Sequence, residues 1–132
     1  MLKGILRAAS VVACTAFVSS AANANDWVQM PLDNTQSWSM RMIESEMVRF
    51  PEAWQIDWDE KPQWDYVHGL NLLAITEVYQ DTKDPRLLSY VKGYYDMLVQ
   101  QDGSIKTYDI NKFNIDMVNP GKVLFFLYEE TG

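Results

Sequence analysis

Residues 62–80 restrict the possible folds more than any other stretch of this 132-residue chain. After Pro62 the sequence reads as a helix to about Gln80, and its apolar positions are Val67, Leu70, Leu72, Leu73, Ala74, Ile75 and Val78. These residues occupy nearly every side of the helix instead of one stripe. A helix of that kind must be buried on most sides, so it needs several neighbours. The rest of the sequence offers three. Ser37 is an N-cap for a helix to about Arg49, with Met40, Ile43, Met47 and Phe50 at helical spacing and Phe50-Pro51 closing it. Pro85 opens a helix to about Gln101, whose stripe of Leu87, Val91, Tyr94 and Leu98 marks one buried face. Asn119 as N-cap and Pro120 at the first helical position begin a fourth, with Gly132 as its C′ glycine.

The connections are equally readable. Residues 51–61 form an acidic link containing Trp54 and Trp58, and Asp81 to Pro85 is a turn. Asp102-Gly103-Ser104 breaks the third helix, and Ile105 to Asp116 is a long connection or a short hairpin. The expected fold class is therefore all-α. Val78-Tyr79-Gln80-Asp81-Thr82 and Leu127-Tyr128-Glu129-Glu130-Thr131 form a faint repeat, offset by 49 residues from Tyr79 to Tyr128. That period equals one helical hairpin with its loops, and stacked hairpins cover each other's apolar faces. Alternating buried and half-buried helices suit a two-layer toroid of six hairpins. Such a ring needs ~300 residues, and this chain supplies about four of its twelve helices.

Residues 1–24 read as a signal peptide, with Lys3 and Arg7 ahead of an apolar run from Ala8 to Val18. Ala22-Asn23-Ala24 supplies the cleavage site, and residues 25–35 form a lead-in loop. The apolar run is too short to span a membrane. Export to the periplasm or the medium is the expectation, with no membrane attachment after cleavage. Val12-Ala13-Cys14 is the competing lipoprotein pattern, but the six residues from Arg7 to Cys14 are few for its apolar core.

Charge and composition remove several function classes. The chain carries 18 acidic and 11 basic side chains, a formal net charge of -7, and cleavage after Ala24 leaves 9 basic residues. Phosphate backbones are bound through Lys and Arg, so nucleic acid is not an expected partner. One Cys, lost on export, and one His leave neither a thiol nucleophile nor a Cys/His zinc site. No glycine-rich loop suits a phosphate. Carboxylates beside aromatics remain, and five Trp residues make that combination prominent. Aromatic faces stack on sugar C–H surfaces, while paired acids act at glycosidic bonds.

Two short stretches carry the candidates. Trp64-Asp65-Tyr66 opens the buried helix, with His68 placed to share a face with Asp65. Trp64 also suits a core position at the helix mouth, Asp65 a charge favoured by the dipole, and His68 a structural pair with Asp65. Asn114-Ile115-Asp116 lies just before the fourth helix, where Asp116 is either a functional loop acid or a dipole partner.

Several segments together resemble a known family. They are Trp38 to Glu46, Phe50-Pro51-Glu52-Ala53-Trp54, Lys61 to Leu70, and Tyr108 with Phe113 to Lys122. They look like the N-terminal third of unsaturated rhamnogalacturonyl hydrolases, glycoside hydrolase family 105, relatives of the unsaturated glucuronyl hydrolases of family 88. The resemblance covers residues 36–132 and implies part of a six-hairpin (α/α)6 barrel. It implies a substrate left by a polysaccharide lyase, an oligosaccharide ending in a 4,5-unsaturated uronic acid. A carboxylic acid protonates C4, water adds at C5, and the hemiketal opens to release the remaining sugar. By the same resemblance Asp116 is the first of two site aspartates and Trp64 a stacking platform, with His68 and Asn119 as substrate contacts. No cofactor and no metal are implied. The principal acid/base aspartate of the family falls beyond Gly132, so the 132-residue chain alone is expected to be inactive. The alternative is a non-catalytic helical module that binds a sugar or peptide at the same aromatic mouth.

Overall fold

The computed structural model describes residues 35–132, so the expectations for residues 1–24 and 25–34 lie outside the described residues. Four α-helices carry the fold: α1 (Trp38–Arg49), α2 (Tyr66–Thr82), α3 (Pro85–Leu98) and α4 (Gly121–Thr131). Short 3-10 turns over Ala53–Trp58, Ile110–Lys112 and Ile115–Val118 fill the connections, and no strand occurs among the described residues. The all-α expectation holds. No helix among them is long and apolar enough to cross a membrane.

The helix starts follow local chemistry. Ser37 accepts from the Met40 N–H, Asp65 from that of Val67, and Asp84 from that of Arg86, each satisfying a donor the first turn leaves over. The Asp65 cap corrects the expected start at Pro62. Asp65 has extended φ/ψ, so Trp64 belongs to the lead-in strand of chain and not to α2. At the other end of α3, Val99 is extended and bridges to Ile105, which stops the helix at Leu98 instead of Gln101. Asn119 is not an N-cap. Its backbone is already helical and its amide donates to the Tyr66 carbonyl, 3.1 Å away, and α4 begins at Gly121.

Helix α2 lies between α3 and α4 and buries His68, Gly69, Leu72, Ile75, Thr76 and Tyr79. Its apolar surface is not covered all round by the described residues. Leu70 is 52% exposed and Ala74 is also exposed. The core runs from Met40, Ile43 and Phe50 through Leu72, Leu87, Val91 and Leu98 to Val123 and Leu127. Gly69 sets the closest approach. A Cβ there would sit 2.6 Å from the Pro120 nitrogen and 2.7 Å from its Cα, so the two backbones meet with no space for a side chain.

Three tyrosines of α3 tie the connections to this core. The hydroxyls of Tyr90, Tyr94 and Tyr95 donate to the carbonyls of Phe50, Gln63 and Pro120, each at 2.8 Å. Burial pushes all three phenols above their usual pKa, so they remain neutral donors.

Candidate active site

The two stretches marked by the sequence meet at the N-terminal end of α2. Trp64 is 2% exposed and sits edge-on to Tyr95 and nearly parallel to Tyr94. Its indole Nε1 donates to the Met117 carbonyl at 2.7 Å, and its backbone N–H donates to Thr107 Oγ1 at 2.7 Å. One residue therefore fastens both ends of the segment 107–117 to the mouth of α2. The Asn119 bond to the Tyr66 carbonyl adds a second tie across 53 residues.

Asp116 lies on the turn that Trp64 holds. Asn114 Oδ1 accepts from the Asp116 N–H at 3.0 Å, which starts the 3-10 turn Ile115–Val118 and leaves the Asp116 side chain exposed. An exposed carboxyl on a turn anchored at its neighbour Met117 can reach a ligand while its backbone stays fixed. Tyr66, 46% exposed, stands on the first turn of α2, and its carbonyl accepts from the Asn119 amide.

Two expected contacts need correction. Trp64 is enclosed by Tyr94, Tyr95 and Met117, so its ring forms the wall behind Asp116 and offers no open face for a sugar. His68 is fully buried. Its Nε2 lies 3.0 Å from the Trp54 carbonyl, and Nδ1 lies 3.8 Å from Asp65 Oδ1, too long for the expected hydrogen-bonded pair. Burial of an amphipathic ring behind the site follows from α2's position between α3 and α4, which sequence spacing does not fix. Sequence reading also missed Thr107, Tyr90 and Tyr95, and took Tyr94 only as part of a buried stripe. Their hydroxyls act at long range, and nothing local in the sequence marks them.

Comparison with known proteins relates the chain to carbohydrate-active enzymes. Residues 38–132 match the sequence pattern of Glycosyl Hydrolase Family 88. A solved structure of a family 105 glycoside hydrolase from C. acetobutylicum ATCC 824 superposes with a TM-score of 0.64 at 33% identity. The match covers 74% of this chain and 25% of that one, so the chain spans about a quarter of the solved relative's length. The helices correspond to part of an (α/α)6 barrel. The chain belongs to glycoside hydrolase family 88 over residues 38–132.

Proposed function

We propose that this chain contributes the first catalytic carboxyl, Asp116, to an enzyme that removes the unsaturated uronic acid from oligosaccharides made by a lyase acting on pectin-type rhamnogalacturonan. The reading rests on family membership and on one geometric observation. Trp64 binds the carbonyl of Met117, next to Asp116, and so brings the acid to the aromatic mouth of α2. The chemistry needs a protonated carboxyl to deliver a proton to C4 of the enol ether and a second carboxylate to hold water for C5. Asp116 takes one of these roles. The other belongs to an aspartate outside this chain, in a domain of the solved relative's length. Tyr66 and Asn119 border the sugar, whereas Trp64 fixes the turn from behind.

The test is loss of the enol ether's ultraviolet absorbance when the full-length enzyme meets an unsaturated disaccharide. Steady loss supports the reading, and an unchanged spectrum with purified enzyme removes it. We also propose that residues 1–24 direct export and are cleaved off. Mass spectrometry of the exported protein is expected to find Asn25 at its N-terminus, and a lipid-modified Cys14 would replace this with membrane anchoring.

A further inference from the structure

Thr107 stands at a backbone position that suits glycine. The Tyr108 N–H donates to the Ile105 carbonyl at 3.3 Å, which closes the four-residue turn Ile105-Lys106-Thr107-Tyr108. Thr107 is the third residue of that turn and has a φ of 66°. A left-handed third position favours glycine or asparagine, because a larger side chain crowds the backbone there. Five non-glycine residues among those described have a left-handed backbone, and Thr107 is the only β-branched one. That side-chain type fits the conformation badly. Its hydroxyl, however, supplies what glycine cannot. Thr107 Oγ1 accepts the backbone N–H of Trp64 at 2.7 Å, across 43 residues of sequence. Trp64 is 2% exposed and lies outside the helical hydrogen bonds of α2. Without that oxygen its N–H would be enclosed and unpaired, which is costly.

The same bond decides where the chain goes next. Up to the turn the backbone is still tied to the end of α3, through the Lys106 N–H on the Leu98 carbonyl at 2.9 Å and the Val99–Ile105 bridge. Beyond it, the Met117 carbonyl is the next point held by α2's mouth, at 2.7 Å from the Trp64 indole. Hydrogen bonds of the residues between stay local, such as Lys112 to Asp109 and Asp116 to Asn114. Asp116 therefore rides on a loop whose two ends close on a single residue. We infer that Thr107 is a positioning residue, whose hydroxyl latches the loop bearing Asp116 onto Trp64 at the mouth of α2. The latch outweighs the strain of a β-branched residue in a left-handed turn. Released at Thr107, the loop is held only at Met117 and beyond, and small displacements of a reacting group slow catalysis steeply. The consequence for catalysis rests on the proposed role of Asp116. The latch itself does not.

Three variants of the full-length enzyme separate the hydroxyl from the backbone. Thr107→Ser keeps the acceptor, Thr107→Val keeps the branched shape without it, and Thr107→Gly suits the turn but has no side chain. Hydrogen exchange at the Trp64 amide is expected to stay slow in Thr107→Ser and to quicken about tenfold in the other two. Equal rates in all four proteins overturn the latch. With an unsaturated disaccharide, kcat is expected to fall about tenfold in Thr107→Val and Thr107→Gly with KM nearly unchanged, and Thr107→Ser to restore it. A purely backbone role predicts the opposite for Thr107→Gly, which relieves the strain. Wild-type or higher kcat in that variant overturns the positioning role. If Thr107→Val does not fold, Thr107→Ser and Thr107→Gly decide. A wild-type enzyme with no turnover counts against the proposed function instead, and the substrate-free exchange rates still uphold or overturn the latch.

Discussion

Helix α3 and the segment from Tyr108 to Asn119 both carry clustered large apolar side chains, and they place them in opposite ways. In α3, Leu87, Tyr90, Val91, Tyr94, Tyr95 and Leu98 are all buried. In the other segment Ile110, Ile115 and Val118 are exposed, and Phe113 is 91% exposed. The cause is local geometry. A regular helix gathers residues at a spacing of three and four on one face, whereas 3-10 turns started by Asp109 and Asn114 side chains point successive residues outward. Phe113 even holds a left-handed backbone, with φ of 47°, which is strained for a bulky residue. The core surrounds the anchored helix, and the candidate chemistry sits on the segment that is held at a few points. An aromatic count in the sequence does not separate these uses. Hydrogen-bond ties do.

The sharpest way to test this contrast is a pair of truncations. Trp64→Ala removes a buried ring and the tie to Met117, and is expected to cost roughly 3–5 kcal/mol of stability in denaturant titration. Phe113→Ala, at an exposed site, is expected to stay within about 0.5 kcal/mol of wild type. Equal losses would erase the distinction between the two regions.

Asp116→Asn is the converse case. Turnover of an unsaturated disaccharide by the full-length enzyme is expected to fall at least ~10²-fold with unchanged stability, since the side chain is exposed and its removal opens no core. Near-normal turnover would reduce Asp116 to a charge at the start of a turn.

Gly69→Ala probes the join between the two regions. The added methyl would collide with Pro120 backbone atoms, which cannot rotate away, so a loss of about 1–3 kcal/mol is expected. A neutral result in thermal unfolding would mean that α2 and the start of α4 are not in backbone contact.

The smallest effect is expected at the start of α3. The hydrogen bond from Arg86 holds the Asp84 carboxyl below its usual pKa. A depressed acid stabilises the fold above its unfolded-state pKa, and that contribution disappears as pH falls through the folded value. Acidification should therefore quicken hydrogen exchange at Arg86, whose N–H caps onto Asp84. Asp84→Ala should abolish that pH step and cost about 1 kcal/mol. Exchange at Arg86 that ignores acid pH would discount the cap.

Much of the fold was legible because helix signals are local. The Ser37 cap, the closure of α1 at Phe50, the Pro85 start of α3 and its buried stripe all follow from spacing and side-chain chemistry within a few residues. The errors fell where distant atoms decide. Asn119 looked like a cap, yet its amide is used by Tyr66. The resemblance made Trp64 and His68 substrate contacts, whereas spacing also allowed a core Trp64 and a structural His68, and α3 packs its tyrosines against both rings. Asp116 was legible as a candidate because it lies on a non-helical segment, and the indole bond that positions its turn was not.

The central proposal is that the site around Asp116 serves protonation of carbon, which ordinary glycoside hydrolysis never requires. Turnover of the unsaturated disaccharide by the full-length enzyme in deuterated water, followed by NMR of the uronic acid product, tests this most directly. The account predicts one deuterium bound at C4, loss of the double bond, and neither change with Asp116→Asn. A released sugar whose double bond is intact and carries no deuterium at C4 would contradict it.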